Sequence, residues 1–350
     1  MESQGMVDWE LAARIGARAA GPGPVVSAAE ADEAVAELRD GANRSTGLVA
    51  EFTGLEAAWG EAPVLVVDRA GWVRANADSF ARVIDPLASR LTDGKPTPSG
   101  IVKAVGSRVT AAEVGGLLGF LGGKVLGQFD PFHEPAGRLL LVAPNVVHVE
   151  RELRADPHDF RLWVCLHEET HRVQFTAVPW MRQHLFSLMD QVVGAVQPDT
   201  MVADVVSRAS QLVRATRGTD GERGGSLLEL IGSPEQRALI DQVTGVMSLL
   251  EGHADVVMDG VGPEVIGSVA SIRSKFNARR GGTGTLDRLL RRLLGLDAKM
   301  AQYRDGAAFV RTVIDQVGME GFNAVWADPS HLPTKDEIHA PATWVARVHG

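Results

Sequence analysis

The segment His167-Glu168-Glu169-Thr170-His171 constrains this chain more than any other part of its 350 residues. Four residues along a helix advance about 6 Å and rotate about 400°, so the two imidazoles emerge one above the other and can converge on one ion. Glu168 lies beside them, able to reach water at such an ion without being a ligand itself. Metal-assisted hydrolysis needs this division of labour, because a carboxylate must take a proton from water while the metal lowers that water's pKa and polarises a carbonyl. With 10 histidines in the chain, roughly 0.02 accidental matches are expected. The flanking Leu162, Trp163, Val164, Leu166, Val173 and Phe175 make the helix too apolar for a surface element, so the motif belongs inside the fold.

A tetrahedral catalytic zinc takes three protein ligands and keeps one open position. A third histidine following a glycine turn is excluded, because Gln174 and Ala177 stand where that glycine and histidine would be. The downstream stretch Leu250-Glu251-Gly252-His253-Ala254-Asp255 supplies another candidate. Glu251 and Asp255 are four apart and share a helix face, whereas His253 between them points elsewhere. Glu251 is therefore expected as third ligand in preference to His253. Asp255 is expected to accept the other ring N–H of a ligand histidine and so fix its tautomer. Both acids sit within an apolar run, Val246 to Met258, where charges require a cation. The expected metal is Zn2+, with His167, His171 and Glu251 as ligands and Glu168 as general base. Tyr303, the only tyrosine, His253 and Arg273 are candidates to stabilise an oxyanion.

A net charge of -9 argues against a nucleic-acid or anionic-membrane footprint, since both need clustered Lys and Arg. The expected partner is a peptide or small amide substrate; oligomeric state is not legible. The N-terminus lacks a basic start and apolar run, and the single cysteine, Cys165, excludes an internal disulfide, so a cytoplasmic setting is expected. The most apolar stretch, Val114 to Gly127, is too short for a bilayer. Its glycines at 115, 119, 123 and 127 recur every four residues, as a strip that lets another helix approach closely.

Helical patterns dominate. Ser27 is expected to cap a helix after Gly21-Pro22-Gly23-Pro24, and Asp156 and Pro157 to open the one carrying the histidines. Val64 to Val67 and Arg138 to Ala143 read as strands, the second stopped by Pro144-Asn145. Residues 100–127 read as helices, as do 183–214, 235–259 and 287–297, while 217–225 reads as a mobile loop and 281–285 as a connector. The chain divides into an N-terminal mainly helical region, 1–128, and a metal-binding region, 129–350, packed as one unit.

Glu251-x-x-x-Asp255 resembles the arrangement of the gluzincin metallopeptidases, although 80 positions separate His171 from Glu251 here, so a helical insertion must be looped out. Asp130-Pro131-Phe132, Leu140 to Asn145, the His167 motif, Val178-Pro179-Trp180, Gln302-Tyr303, Phe322 to Trp326 and the tail from Leu332 to Trp344 together resemble a zincin-like hydrolase family of actinobacteria associated with deazaflavin-coenzyme biosynthesis. The resemblance implies a zincin-like α+β fold, predominantly helical, with a small sheet and a metal at His167, His171 and Glu251. Two functions follow: a metal-dependent hydrolase of amide or peptide bonds, or a non-catalytic zincin-fold protein whose metal is structural or whose cleft binds a partner or ligand linked to deazaflavin-coenzyme metabolism.

Overall fold

Arg138–Val142 form a strand, β3, that is buried on both faces, and most of the architecture follows from covering it. In the computed structural model, which describes residues 7–56, 62–92, 100–194, 234–280 and 296–350, β3 is the middle of a three-stranded sheet. Strand β1 (Val64–Val67) pairs with it in parallel, and β2 (Gly127–Asp130) pairs antiparallel on its other side. Alternate side chains leave opposite faces of a strand. Leu139 and Leu141 enter the core that also holds Phe160, Val164 and Leu166, and Leu140 and Val142 enter a second core with Trp72, Val73 and Leu118.

The second core belongs to α1 (Trp9–Ala20), α3 (Arg69–Thr92) and α4 (Gly100–Gly122). Gly115 and Gly119 of the predicted strip meet the backbone of α1 at Ala12 and Gly16, so the strip seats a helix as its spacing implied. Its fourth member, Gly127, is in β2 instead. Helix α2 (Ala28–Thr53) begins with a capping box in which Ser27 and Glu30 satisfy each other's backbone, and it lies along the first core.

Helix α5 (Ala143–Leu153) continues directly from β3. Pro144-Asn145 thus ends the strand by starting a helix, proline being tolerated in a first turn where no intrahelical N–H bond is needed. Helix α6 (Pro157–Thr176) is opened by Asp156, whose side chain accepts from Asp159 N, with Pro157 in its first turn. Fourteen of its side chains are buried, which makes it the central element, covered by the sheet, α2 and later helices. Cys165 on this helix is fully enclosed, donates weakly to Leu38 O, and has its thiol pKa raised by burial.

Helix α7 is Met181–Gly194, α8 is Pro234–Gly260 and α9 is Val269–Arg280. Helix α10 (Leu296–Phe322) bends at Gly318; two short 3-10 turns, α11 (Lys335–His339) and α12 (Pro341–His349) complete the chain. A third core, around Leu249, Phe309, Val313, Phe322 and Trp344, binds α8 to this C-terminal part. The expected regions 1–128 and 129–350 share the sheet, since β2 carries residues 127–130. The helical readings at 195–214 and 287–295, the loop at 217–225 and the connector at 281–285 lie outside the described residues. No helix among the described residues is long and apolar enough to cross a membrane.

Candidate metal centre

Helix α6 presents His167 and His171 on one face, their rings 4.7 Å apart between centroids and nearly perpendicular. Helix α8 crosses α6 and brings Glu251 to the same place. The Nε2 atoms of the two histidines are 3.3 Å apart. Glu251 Oε2 lies 3.6 Å from His167 Nε2 and 3.7 Å from His171 Nε2. Bonds of about 2.0–2.1 Å to a tetrahedral ion imply ligand atoms about 3.3 Å apart, so this triangle is close to one face of such a tetrahedron. These three are the group of acidic, histidine or cysteine residues among the described residues whose ligand atoms cluster as a metal requires. The donor set, two imidazoles and a carboxylate, suits zinc and leaves room for a fourth ligand. Side-chain exposures of 22%, 14% and 18% for His167, His171 and Glu251 mean that the triangle is reached by solvent rather than sealed.

Charge at the centre favours a cation. Burial, reinforced by the charge of Glu251, pushes the Glu168 carboxyl up to about 8 against the partial opposition of His171. Burial alone would lower the pKa of His171, but its hydrogen bond and charge interaction with Glu251, with help from Glu168 and Gln174, raise it to about 9. Glu168 is fixed from the other side by the sheet: a Cβ on Gly127 would lie 2.5 Å from Glu168 Cγ, so β2 passes directly against it.

The surroundings depart from the sequence expectations in three places. Asp255 does share a helix face with Glu251, but it accepts from Arg273 Nη1 at 2.7 Å. The group on His171 Nδ1 is Gln174 Oε1, at 2.9 Å. Asp255 failed as the histidine's acceptor because a guanidinium from α9 was in reach, which helix spacing cannot reveal. Arg273, a candidate oxyanion stabiliser, is held by Asp255 and Asp259 and lies over the ring of Trp163. His253, the other, is fully enclosed: it stacks on Phe322, lies beside Trp326 and contacts Gln174. Burial pushes its pKa down to about 3, so it is neutral, and Gln174 stands between it and His171. The side chain of Tyr303 lies outside the described residues.

Glu169 points away from the centre and is buried against Arg172, with contacts of 2.6 and 2.8 Å, while Arg172 also donates to Thr46 Oγ1. This pair locks α6 to α2. Gln174 is the residue that sequence reasoning passed over. The only hint was a polar side chain three positions beyond His171, between Val173 and Phe175 in an apolar stretch.

Fold and site together define a zincin-like α+β protein in which two histidines and a glutamate cluster on two crossing helices as a metal would require. The chain belongs to the zincin-like metallopeptidase family, whose sequence profile matches residues 7–345. Such a family implies a metal cofactor and suggests a metal-dependent hydrolase. A crystal structure from Chloroflexus aurantiacus, described as a candidate hydrolase with a novel fold, is 30% identical, with a TM-score of 0.69 over 98% of this chain and 99% of that one. No curated protein shows significant similarity to the chain.

Proposed function

We propose that the protein is a zinc-dependent hydrolase of amide or peptide bonds. The observation that carries this reading is the placement of a buried carboxyl group, Glu168, beside a three-atom donor triangle that solvent can reach. When bound, zinc would supply Lewis acidity, polarising a carbonyl and acidifying water. His167, His171 and Glu251 would hold it. Glu168 would take a proton from water on a carboxylate oxygen and pass it to the leaving nitrogen. Gln174 and the neutral His253 behind the histidines keep that side of the site free of positive charge.

The sheet supports an extended substrate. Val142 N donates to Leu126 O, and with the β2–β3 register this turns the backbone groups of Gly127 and Phe129 away from β3, towards the outer edge of β2. The face of β2 at Gly127 packs against Glu168, so that edge begins beside this carboxyl group. A peptide adding there as a further strand would carry its carbonyls past the general base. The actinobacterial affiliation and the deazaflavin-coenzyme context rest on the sequence resemblance alone.

Two measurements test the proposal. Purified wild type should contain one zinc per chain, His171→Ala should contain little, and digestion of a peptide library should give zinc-dependent cleavage products by mass spectrometry. Stoichiometric zinc without cleavage of any peptide or amide would instead favour the non-catalytic reading. Zinc uptake should also release protons, because His171 holds one up to about pH 9 and must give it up from Nε2 to become a ligand. Affinity should therefore rise as pH increases from 6.5 towards 9. Calorimetric titrations in two buffers of different ionisation enthalpy should show at least one proton released per zinc at pH 7.5, and identical heats in the two buffers would contradict it.

A further inference from the structure

We propose that Gln174 is the positioning residue of this centre: its side-chain amide holds His171 in the tautomer whose Nε2 lone pair faces His167 and Glu251, and ties that choice to helix α8. The inference rests on the reading of His167, His171 and Glu251 as cation ligands, and concerns what makes one of them competent.

The hydrogen bonds of the Gln174 amide itself fix its orientation, while His253 Nε2, on the far side of that ring, is buried without a partner. Its Nε2 is 2.9 Å from the backbone carbonyl oxygen of Leu250. A carbonyl oxygen only accepts, so the atom facing it must be the amide nitrogen and the amide cannot be turned over. The other end, Oε1, then faces His171 Nδ1 at 2.9 Å. An amide oxygen also only accepts, so His171 carries a proton on Nδ1. When the ring is neutral its lone pair is on Nε2, the atom 3.3 Å from His167 Nε2 and 3.7 Å from Glu251 Oε2. The second hydrogen of the Gln174 amide points to His253 Nδ1 at 3.0 Å, which must accept, so the proton of His253 is on its Nε2. A proton on Nδ1 of His253 would set two donors against each other. Phe322 and Trp326 enclose the ring on the C-terminal side.

A carboxylate at position 174 would serve His171 equally well, as the carboxylate partners of many ligand histidines do. It would, however, turn an acceptor towards the Leu250 carbonyl and the lone pair of His253. Only a side chain with one accepting and one doubly donating end fits both helices. Leu250 immediately precedes Glu251, so the same amide that selects the His171 tautomer also fixes the backbone from which the third ligand extends. Gln174 is fully buried, where a hydrogen bond is electrostatically stronger than in water.

The test uses full-length protein and zinc as the probe. In zinc-loaded protein labelled with nitrogen-15 histidine, the Nδ1–H of His171 should appear as a slowly exchanging ring resonance. Gln174→Met, close in volume but unable to hydrogen-bond, should lose that protection and bind zinc about 10–100-fold more weakly in a chelator competition, while the far-UV circular dichroism of the metal-free protein stays unchanged. Gln174→Glu should also bind more weakly than wild type, since it restores only the bond to His171. If the Met variant binds zinc as tightly as wild type and keeps the protected resonance, the role of Gln174 is refuted while the metal site stands. If wild type takes up no zinc, the site reading itself falls, and this inference with it. Should Gln174→Met fail to fold, the wild-type resonance decides: slow exchange supports the assignment, and exchange as fast as an exposed imidazole overturns it.

Discussion

Glu168→Gln is expected to keep its full zinc content and to lower turnover of any amide cleaved by the wild type by ~10²–10⁴-fold, the usual contribution of a general base. The substitution conserves shape in a position where shape is tightly set, since Gly127 leaves no space beyond the Glu168 side chain. It also leaves the three donor atoms untouched. Loss of zinc from this variant would mean that Glu168 is a ligand. Retained turnover would remove it from the chemistry. A second readout requires no substrate. The folded protein holds a proton on Glu168 up to about 8, against an ordinary value of 4.5, so between those pH values the folded state binds more protons than the unfolded one. Stability of the metal-free wild type must then fall as pH rises through that window. Gln carries no proton to lose, so the variant should gain on wild type in thermal unfolding from pH 5 to pH 8. A constant difference across that range would contradict the buried position of this carboxylate.

Gly306→Val should destabilise the protein by about 3 kcal/mol or more, at the upper end of what overpacking costs, and should weaken zinc binding although residue 306 touches no ligand. Helices α8 and α10 cross with their backbones in contact: a Cβ on Gly306 would collide with the carbonyl of Ser248, and one on Gly252 with Gly306 itself. These are backbone atoms and cannot rotate aside, so the helices must separate. Gly252 adjoins Glu251, so that separation moves the carboxylate away from the histidines on α6. Gly47→Ala in α2 is the contrasting change. A Cβ there meets nothing within 4 Å, and replacing an exposed helical glycine should stabilise by about 0.5–1 kcal/mol. Denaturant unfolding of the two variants, with zinc affinity measured alongside, separates a crowded crossing from a general intolerance of glycine replacement. Equal stability of Gly306→Val and wild type would show that the crossing is looser than described.

What was legible in the sequence was local. His167 and His171 share a face because four residues make slightly more than a turn, and Asp156-Pro157 announces the start of their helix. Glu251 could be selected over His253 by the same geometry, and the structure brings its carboxylate, not the imidazole of His253, to the two histidines. What could not be read depended on partners far along the chain. Gly127-Gln128-Phe129-Asp130 has no β-branched residue and becomes a strand only because β3 offers it a ladder. Asp255 met Arg273 rather than a histidine. Gln174 registered only as the absence of a glycine, since its partners Leu250 and His253 are 76 and 79 positions away.

That separation has a consequence for how such a centre can vary. The donors on α6 and α8 are brought together by helix packing and by one bridging amide, and nothing in that junction counts the residues between them. The entropy of closing a flexible segment grows only logarithmically with its length, by about 0.6 kcal/mol for each doubling. Where the chain leaves α7 and returns to α8, this architecture can therefore gain or lose length, acquiring new recognition surfaces while His167, His171 and Glu251 keep their places.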